Sequence, residues 1–370
     1  MFSCLHENTQ AVSLGQGMSK ANVPGAFEAS TTITCKSCFF EWTMTAAEAK
    51  KQTLCRNCLK PLSPASTTGL VRAGDLLPAM LPPELFDPII NPNDIGYTHP
   101  VFVQCFLPTR HSAKNQLRWQ VDCGRVSLVI RAGELAKPKE LNKFEKQQVP
   151  AGPKARLVCA YVNDAIHRGH HTIDLGESLR AAMEKFGIPT GGKNGLALAT
   201  EVKNFAAAEI TLAGWDAEGL PTQTDAFVAE KKSVRFWIEK DPQQRTLWQP
   251  EMTVSQAYYE AVRQDDRKAP FYWPALVALQ HDTRAIDIHQ FLVYRLRNGL
   301  KHPVTIHQKA LHAVFGRDVA QLDHFWPRFL KSLAEAHKWY GTARVEVKDD
   351  CIVLKDSPPL IPYRKMPRIA

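Results

Sequence analysis

No run of eighteen consecutive apolar residues occurs in the chain, which excludes a helix that spans a bilayer. The first residues, MFSCLHENTQ, lack a basic stretch followed by an apolar one, so no secretory leader is expected and the protein is placed in the cytoplasm. Motifs of catalysis are missing as well. There is no Gly-x-Ser-x-Gly, and no pair of carboxylates stands at a spacing suited to acid and base work, so the chain is not expected to be an enzyme. Cysteine usage excludes a secreted disulfide framework. The count is nine, an odd number; four cysteines lie in paired C-x-x-C knuckles, and Cys4, Cys105, Cys123, Cys159 and Cys351 stand singly, mostly in apolar segments. Charge of one sign is only in moderate excess: Lys plus Arg number 46 against 37 Asp plus Glu, a net +9 that favours a polyanionic partner. What is present is globular, since 44% of residues are hydrophobic, and 370 residues exceed one ordinary core, so two or three domains are expected.

The stretch 285 to 354 carries the strongest pattern. AIDIHQFLVYRLRNG sets Ile288, Phe291, Leu292 and Leu296 on one helical stripe, with Asp287, Arg295 and Arg297 on other faces. HPVTIH is a short extended piece, and QKALHAVFG a short helix that Gly316 stops. The longest helix follows. In QLDHFWPRFLKSLAEAHKWY, Leu322, Phe325, Trp326, Phe329, Leu330 and Leu333 form the apolar face, and His324, Arg328, Lys331, Glu335 and Lys338 the opposite one. Pro327 has no N–H and collides with the carbonyl four residues back, so the helix must start near Asp323 as N-cap or bend there. ARVEVKDDCIVL is a hairpin turning at Asp349 and Asp350. Helix, helix, helix and hairpin describe a winged helix, whose third helix can enter a major groove. Arg295, Arg297, Lys301 and His302 on one element and Lys309 on another add cations to those of the long helix. Arg328 and Lys331 are the expected base readers, whereas Arg297, Lys301 and Arg344 suit phosphates. The competing assignment for Arg328 is a surface ion pair with Glu335 or Asp323.

Residues 1–30 read as a flexible tail, and 31–62 as a metal module: Cys35-x2-Cys38-x16-Cys55-x2-Cys58 lets four thiolates converge on a structural Zn2+ ion, with room for a strand at FFEWT and a short helix capped by Thr45 and Glu48. So small a segment draws most of its folding free energy from the metal. Residues 63–96 are a proline-rich linker. From 97 to 248, VFVQCFLP and LRWQVDCGRVSLVIRAG read as strands, ARLVCAYVNDAIHRG as a helix, TIDL as a short strand, and LGESLRAAMEKFG and LALATEVKNFAAA as helices. The last of these is expected to expose Lys193, Thr200, Lys203 and Asn204, of which Lys193, Lys203 and Asn204 are candidate DNA contacts. ITLAGW and SVRFWIEK are expected as the arms of a long hairpin. The plan repeats that of 249–356, and 357–370 is a basic, proline-rich tail. The expected fold class is therefore α+β: two tandem winged-helix domains, the first also a candidate for dimerisation, behind a small Cys4 zinc-ribbon-like module.

Two constellations imitate chemistry. Gly187-Ile-Pro-Thr-Gly-Gly192-Lys193 has the glycine spacing of a phosphate-binding loop, but a helix precedes it and Asn194 replaces the hydroxyl that would hold magnesium. It is read as the turn before a helix. His167-Arg-Gly-His170-His171 lacks the triplet of a nicking enzyme and is read as a helix end, where His167 and Arg168 meet the negative pole of the dipole.

From Asn93 to Pro359 the chain resembles the RepA-like family of plasmid-encoded replication initiators. The stretches that carry this are IGYTHPVFVQCFLPTR, VPAGPKARLVCAYVNDA, LGESLRAAMEKFGIPTGGKNG, DIHQFLVYRL, FGRDVAQLDHFWPRFLKSL and ARVEVKDDCIVLKDSPP. The resemblance implies tandem winged helices that bind repeated origin DNA (iterons), help open the origin, recruit the host replicative helicase with host initiator proteins, and repress their own promoter in many members. It also implies a bacterial cytoplasm and a possible homodimer. Where the family usually has Pro-Tyr-Gly this chain has Pro150-Ala151-Gly152, and Glu201 and Asn204 stand in place of the family's Gln and Arg. Loss of that basic side chain weakens the DNA contact expected of the first domain more than that of the second. A transcriptional repressor of the same architecture is the alternative reading.

Overall fold

The computed structural model describes residues 30–34, 41–45, 90–111, 117–124, 126–137, 140–215, 220–234, 250–263 and 268–361. Cys35, Cys38, Cys55 and Cys58 lie outside them, as do Glu48 and most of the expected linker. The chain divides into two compact units, residues 1–76 and 77–370. In the first, β1 (Ser30–Thr34) and β2 (Glu41–Thr45) form an antiparallel hairpin with Thr32 opposite Thr43, so a strand does occur near FFEWT.

The second unit is α+β, with small antiparallel sheets. It opens with β3 (Ile95–Thr98) and a 3-10 turn, Pro100–Val103. VFVQCFLP was expected to be a strand; its run of apolar residues is instead buried on all sides, with Val103 and Cys105 fully inaccessible, and His99 caps the turn by accepting from the Val101 N–H. A short apolar run carries no periodicity to separate these outcomes. Then come β4 (Arg118–Cys123), β5 (Val126–Arg131), β6 (Glu134–Lys137) and β7 (Glu140–Lys146), followed by α1 (Gly152–His167), β8 (Thr172–Asp174), α2 (Leu179–Lys185), α3 (Gly192–Ala207), β9 (Glu209–Trp215), β10 (Pro221–Phe227), β11 (Ala229–Val234) and β12 (Glu251–Val254). One sheet has the order β10-β9-β5-β4, another β11-β12-β8. β9 therefore pairs with PTQTDAF rather than with SVRFWIEK, correcting the expected hairpin. β10 is an edge strand with a largely exposed, polar sequence, which gave no apolar alternation to read.

α4 (Gln256–Arg263), β13 (Ala269–Tyr272) and α5 (Trp273–Ala278) complete the middle of the chain. They tie it together. β12 pairs with β8, Tyr258 of α4 donates to Asn163 of α1 at 2.8 Å, and β13 pairs with β3. Gly187 packs so tightly on Val277 that a Cβ there would stand 2.6 Å from its Cγ1. The expected boundary between 248 and 249 therefore cuts across the pairing of β12 with β8.

The last part runs α6 (Thr283–Leu296), β14 (Val304–His307), α7 (Gln308–Phe315), α8 (Leu322–His337), β15 (Val345–Val347) and β16 (Cys351–Leu354), with sheet order β14-β16-β15. Periodicity served well here. Ile288, Leu292 and Leu296 of α6 and Phe325, Phe329, Leu330 and Leu333 of α8 are all buried. Asp282 caps α6, one carboxylate oxygen accepting from the N–H groups of Arg284 and Ala285 and the other from Ser332 of α8 at 2.8 Å. The α7–α8 turn is closed by Gly316, where a Cβ would lie 2.6 Å from Phe325 Cδ2 and 2.9 Å from the His312 carbonyl. Pro327 sits inside α8, whose N-cap is Gln321, two residues before the expected Asp323. Arg284, 8% exposed, bridges α6 to the Phe315 carbonyl and Asp318.

Asp287 departs from expectation. It was assigned to a polar face, yet it is 3% exposed and grips Arg156 of α1 at 2.6 and 2.7 Å. The other donors of that guanidinium go to the carbonyls of Leu107, Pro108 and Gly152, so all five N–H groups are used. Burial raises the Asp287 carboxyl to about 6, against the pull of Arg156, which leaves it ionised opposite the guanidinium at neutral pH.

Candidate nucleic-acid interface

α8 is built so that one face is fixed by packing and the other is left to solvent. The inner face stacks Phe325, Trp326 and Phe329, with Phe315 of α7 against Phe329 and with Trp326 and Phe329 nearly parallel at 5.6 Å. The outer face shows His324, Arg328, Lys331 and Lys338, all exposed. Their surroundings differ. Lys338 is engaged by Glu335 at 2.7 Å, and with that carboxylate occupied the Arg328 guanidinium forms no ion pair among the described residues. A guanidinium held on a rigid helix with its fork unused can meet a guanine edge or a phosphate.

The other candidates surround the same bundle. Lys301 and His302 are exposed in the turn between α6 and β14, Lys309 in α7 and Arg344 just before β15. Arg295 is half-buried, and burial lowers its pKa. Arg297 is partly committed to the protein: it donates to the Lys268 carbonyl and lies 4.3 Å from the Tyr294 ring centre. It still shares an open cleft with Arg344 and Asp356, so two expected phosphate ligands are brought together.

In the first half, Lys193 is exposed at the start of α3 and Lys203 is half-buried. Asn204 was expected to face DNA and does not. It is 2% exposed, its carbonyl accepts from the Gln148 N–H at 3.0 Å and its amide donates to Glu201. Glu201 is itself buried, accepts from the Ala151 N–H and binds His111, whose imidazole is pulled to a higher pKa by that carboxylate. Glu201 and Asn204 therefore hold the N-terminus of α1 and the chain around His111. Asn204 is withdrawn as a DNA contact.

The hairpin between β15 and β16 is acidic at its tip. Asp349 and Asp350 are exposed, and Glu346 is exposed but shared by Lys348 and Lys355. Phosphates would be repelled from the exposed carboxylates of Asp349 and Asp350, so the cationic surface is that of α8 and its flanking turns.

No protein-family model matches the chain, and no curated protein matches it closely enough to count as a relative. Solved structures offer a loose likeness. The crystal structure of RctB domains 2-3 (residues 155-483) is 10% identical, with a TM-score of 0.42 over 70% of this chain and 96% of that one. A selenomethionine form of RctB domains 2 and 3 is likewise 10% identical, with a TM-score of 0.43 over 70% of this chain and 98% of the other. Likeness at this level settles neither the fold nor the activity.

Expectation from sequence missed His307, Asp350 and Cys351, whose ligand atoms lie within 4.8 Å of one another. Only the register of β14 on β16 brings His307 opposite Cys351, and register is not readable from two short apolar strands. At the end of α1, Arg168 pairs with Asp164 at 2.7 Å beside the last helical residue, His167, as a helix end requires.

Proposed function

We propose that the chain is a non-enzymatic, RepA-like plasmid replication initiator that binds repeated origin DNA through two winged-helix modules. The observation that carries this is the outer face of α8, where Arg328 and Lys331 are exposed and, among the described residues, without acid partners, on a helix whose other face is locked by four aromatic rings. The order α6, β14, α7, α8, β15, β16 with β16 central supports the winged-helix assignment of the second module. The order α1, β8, α2, α3, β9, β10 supports the first, although there β8 joins β12 rather than the following hairpin. In this reading α8 enters the major groove, Lys301, Lys309 and Arg344 contact phosphates, and Lys193 supplies the first module's contact. Helping to open the origin, recruiting the host helicase, repressing its own promoter and forming a homodimer in the bacterial cytoplasm belong to the same proposal and rest on the sequence resemblance. So does one structural zinc ion on Cys35, Cys38, Cys55 and Cys58, which rests on their spacing.

Footprinting of the purified protein on DNA flanking its own gene tests the reading. Protection of several direct repeats is expected, together with loss of plasmid maintenance when the gene is deleted. Protection of a single promoter site on a replicon that persists without the gene would establish the repressor instead.

A further inference from the structure

The tip of the hairpin carries, with the end of β14, three unlike metal-binding groups in one place. His307 ends β14 and Cys351 begins β16, and the two are directly opposed in the antiparallel register. Asp350 is adjacent to Cys351. Two backbone bonds fix this geometry: Gln308 donates to the Asp350 carbonyl at 2.7 Å, and Lys348 donates to the Cys351 carbonyl at 2.9 Å. The Asp350 carboxylate lies 3.5 Å from His307 Nδ1, and the Cys351 thiol lies within 4.8 Å of both. We infer that His307, Asp350 and Cys351 form a site for a thiophilic divalent cation, zinc foremost, that clamps the hairpin to the head of α7.

The chemistry of the donors supports this. Imidazole, thiolate and carboxylate together with one water make up an ordinary four-coordinate zinc shell. Bonds of about 2.0 to 2.3 Å put tetrahedral ligands roughly 3.3 to 3.8 Å apart, so the present spread needs to close by about 1 Å. His307 and Asp350 can close it by rotation, since their side chains are 62% and 73% exposed, while Cys351 is the anchored inner ligand. Binding expels the thiol proton to solvent. Thiolate and carboxylate then cancel the charge of the ion, so the acidic tip loses one net negative charge. No step in the proposed function depends on this ion.

The four N-terminal cysteines are expected to hold zinc as well, so the test is a difference between full-length proteins. In equilibrium dialysis against micromolar Zn2+, the wild type should bind one ion more per chain than Cys351→Ser. His307→Ala, a change at an exposed position that leaves the buried core untouched, should weaken this extra binding about tenfold or more. With Co2+ as probe, the wild-type spectrum minus that of His307→Ala should show a thiolate-to-cobalt charge-transfer band. Equal stoichiometry in wild type, Cys351→Ser and His307→Ala, with superimposable cobalt spectra, would overturn the proposal.

Discussion

Arg328 and Lys301 are both exposed cations of the same bundle, yet they are held differently. Arg328 stands on the outer face of a packed helix with a planar fork, and Lys301 is a point charge in a turn. Arg328→Ala should therefore cost about 1 to 3 kcal/mol on a specific site and much less on random duplex, while Lys301→Ala weakens both equally. Titration of each variant against a repeat and its scrambled counterpart at one salt concentration checks this, and equal losses for Arg328→Ala on the two duplexes would end the claim of base reading by α8. His289 gives a second test at this scale. It is fully buried in α6 with neither ring nitrogen hydrogen-bonded among the described residues, and burial depresses its pKa to about 4. The unfolded chain takes up this proton near pH 6.5 and the folded one only near 4. Stability is thus complete above about pH 6.5 and falls as the pH drops towards 4, by up to about 3 kcal/mol. Urea unfolding at neutral and acid pH should show this drop in the wild type and a smaller one in His289→Leu; parallel pH dependences would show that His289 does not contribute.

Between elements, the decisive contacts are the ones that local pattern conceals. The helices were legible because α6 and α8 repeat their apolar residues at helical spacing, and because α6 and α7 end where the Asn298-Gly299 turn and Gly316 dictate. Asp287 was misread for a physical reason: the stripe of α6 that faces α8 is apolar, whereas the stripe that faces α1 is polar because it receives Arg156. No single-helix pattern reveals a partner 131 residues away. Some strand partners were hidden likewise, since β8 and β12 are short and their pairing is long-range, while β9 turns back onto β10, whose polar sequence shows no alternation. The same reasoning explains Asn204, which looked like a surface residue of α3 because its distant partner, the Gln148 N–H, is brought to it only by the fold. Breaking the α1–α6 joint on one side leaves a buried guanidinium with two donors unpaired. Asp287→Ala should cost about 3 to 5 kcal/mol, whereas Arg156→Met with Asp287→Leu should cost clearly less. Chemical denaturation measures both, and a single-variant loss below about 1 kcal/mol would show that the pair adds nothing to the joint.

For the molecule, these joints decide how the cations can be used. Residues 77–370 form one compact unit in which β3 pairs with β13, Arg317 reaches the Gln120 carbonyl at 2.8 Å, and Phe106 stacks on Phe315 at 5.2 Å. Lys193 in the first half is thus carried at a fixed place relative to α8, and DNA bound to one half either meets the other or does not. Among the candidate contacts, Lys193, Lys301, Lys309, Arg328, Lys331 and Arg344 are exposed and have no acid partner among the described residues. If all six neutralise phosphates, the logarithm of affinity should fall against the logarithm of salt with a slope of roughly −5. Lys193→Ala separates the two halves. With both on DNA it removes one phosphate contact and brings the slope to about −4, with a uniform loss across sequences. With only the second half bound, the variant keeps the wild-type slope and affinity. Binding isotherms for both proteins on one duplex at several salt concentrations distinguish these outcomes, and an unchanged slope would confine the DNA interface to α8 and the turns beside it.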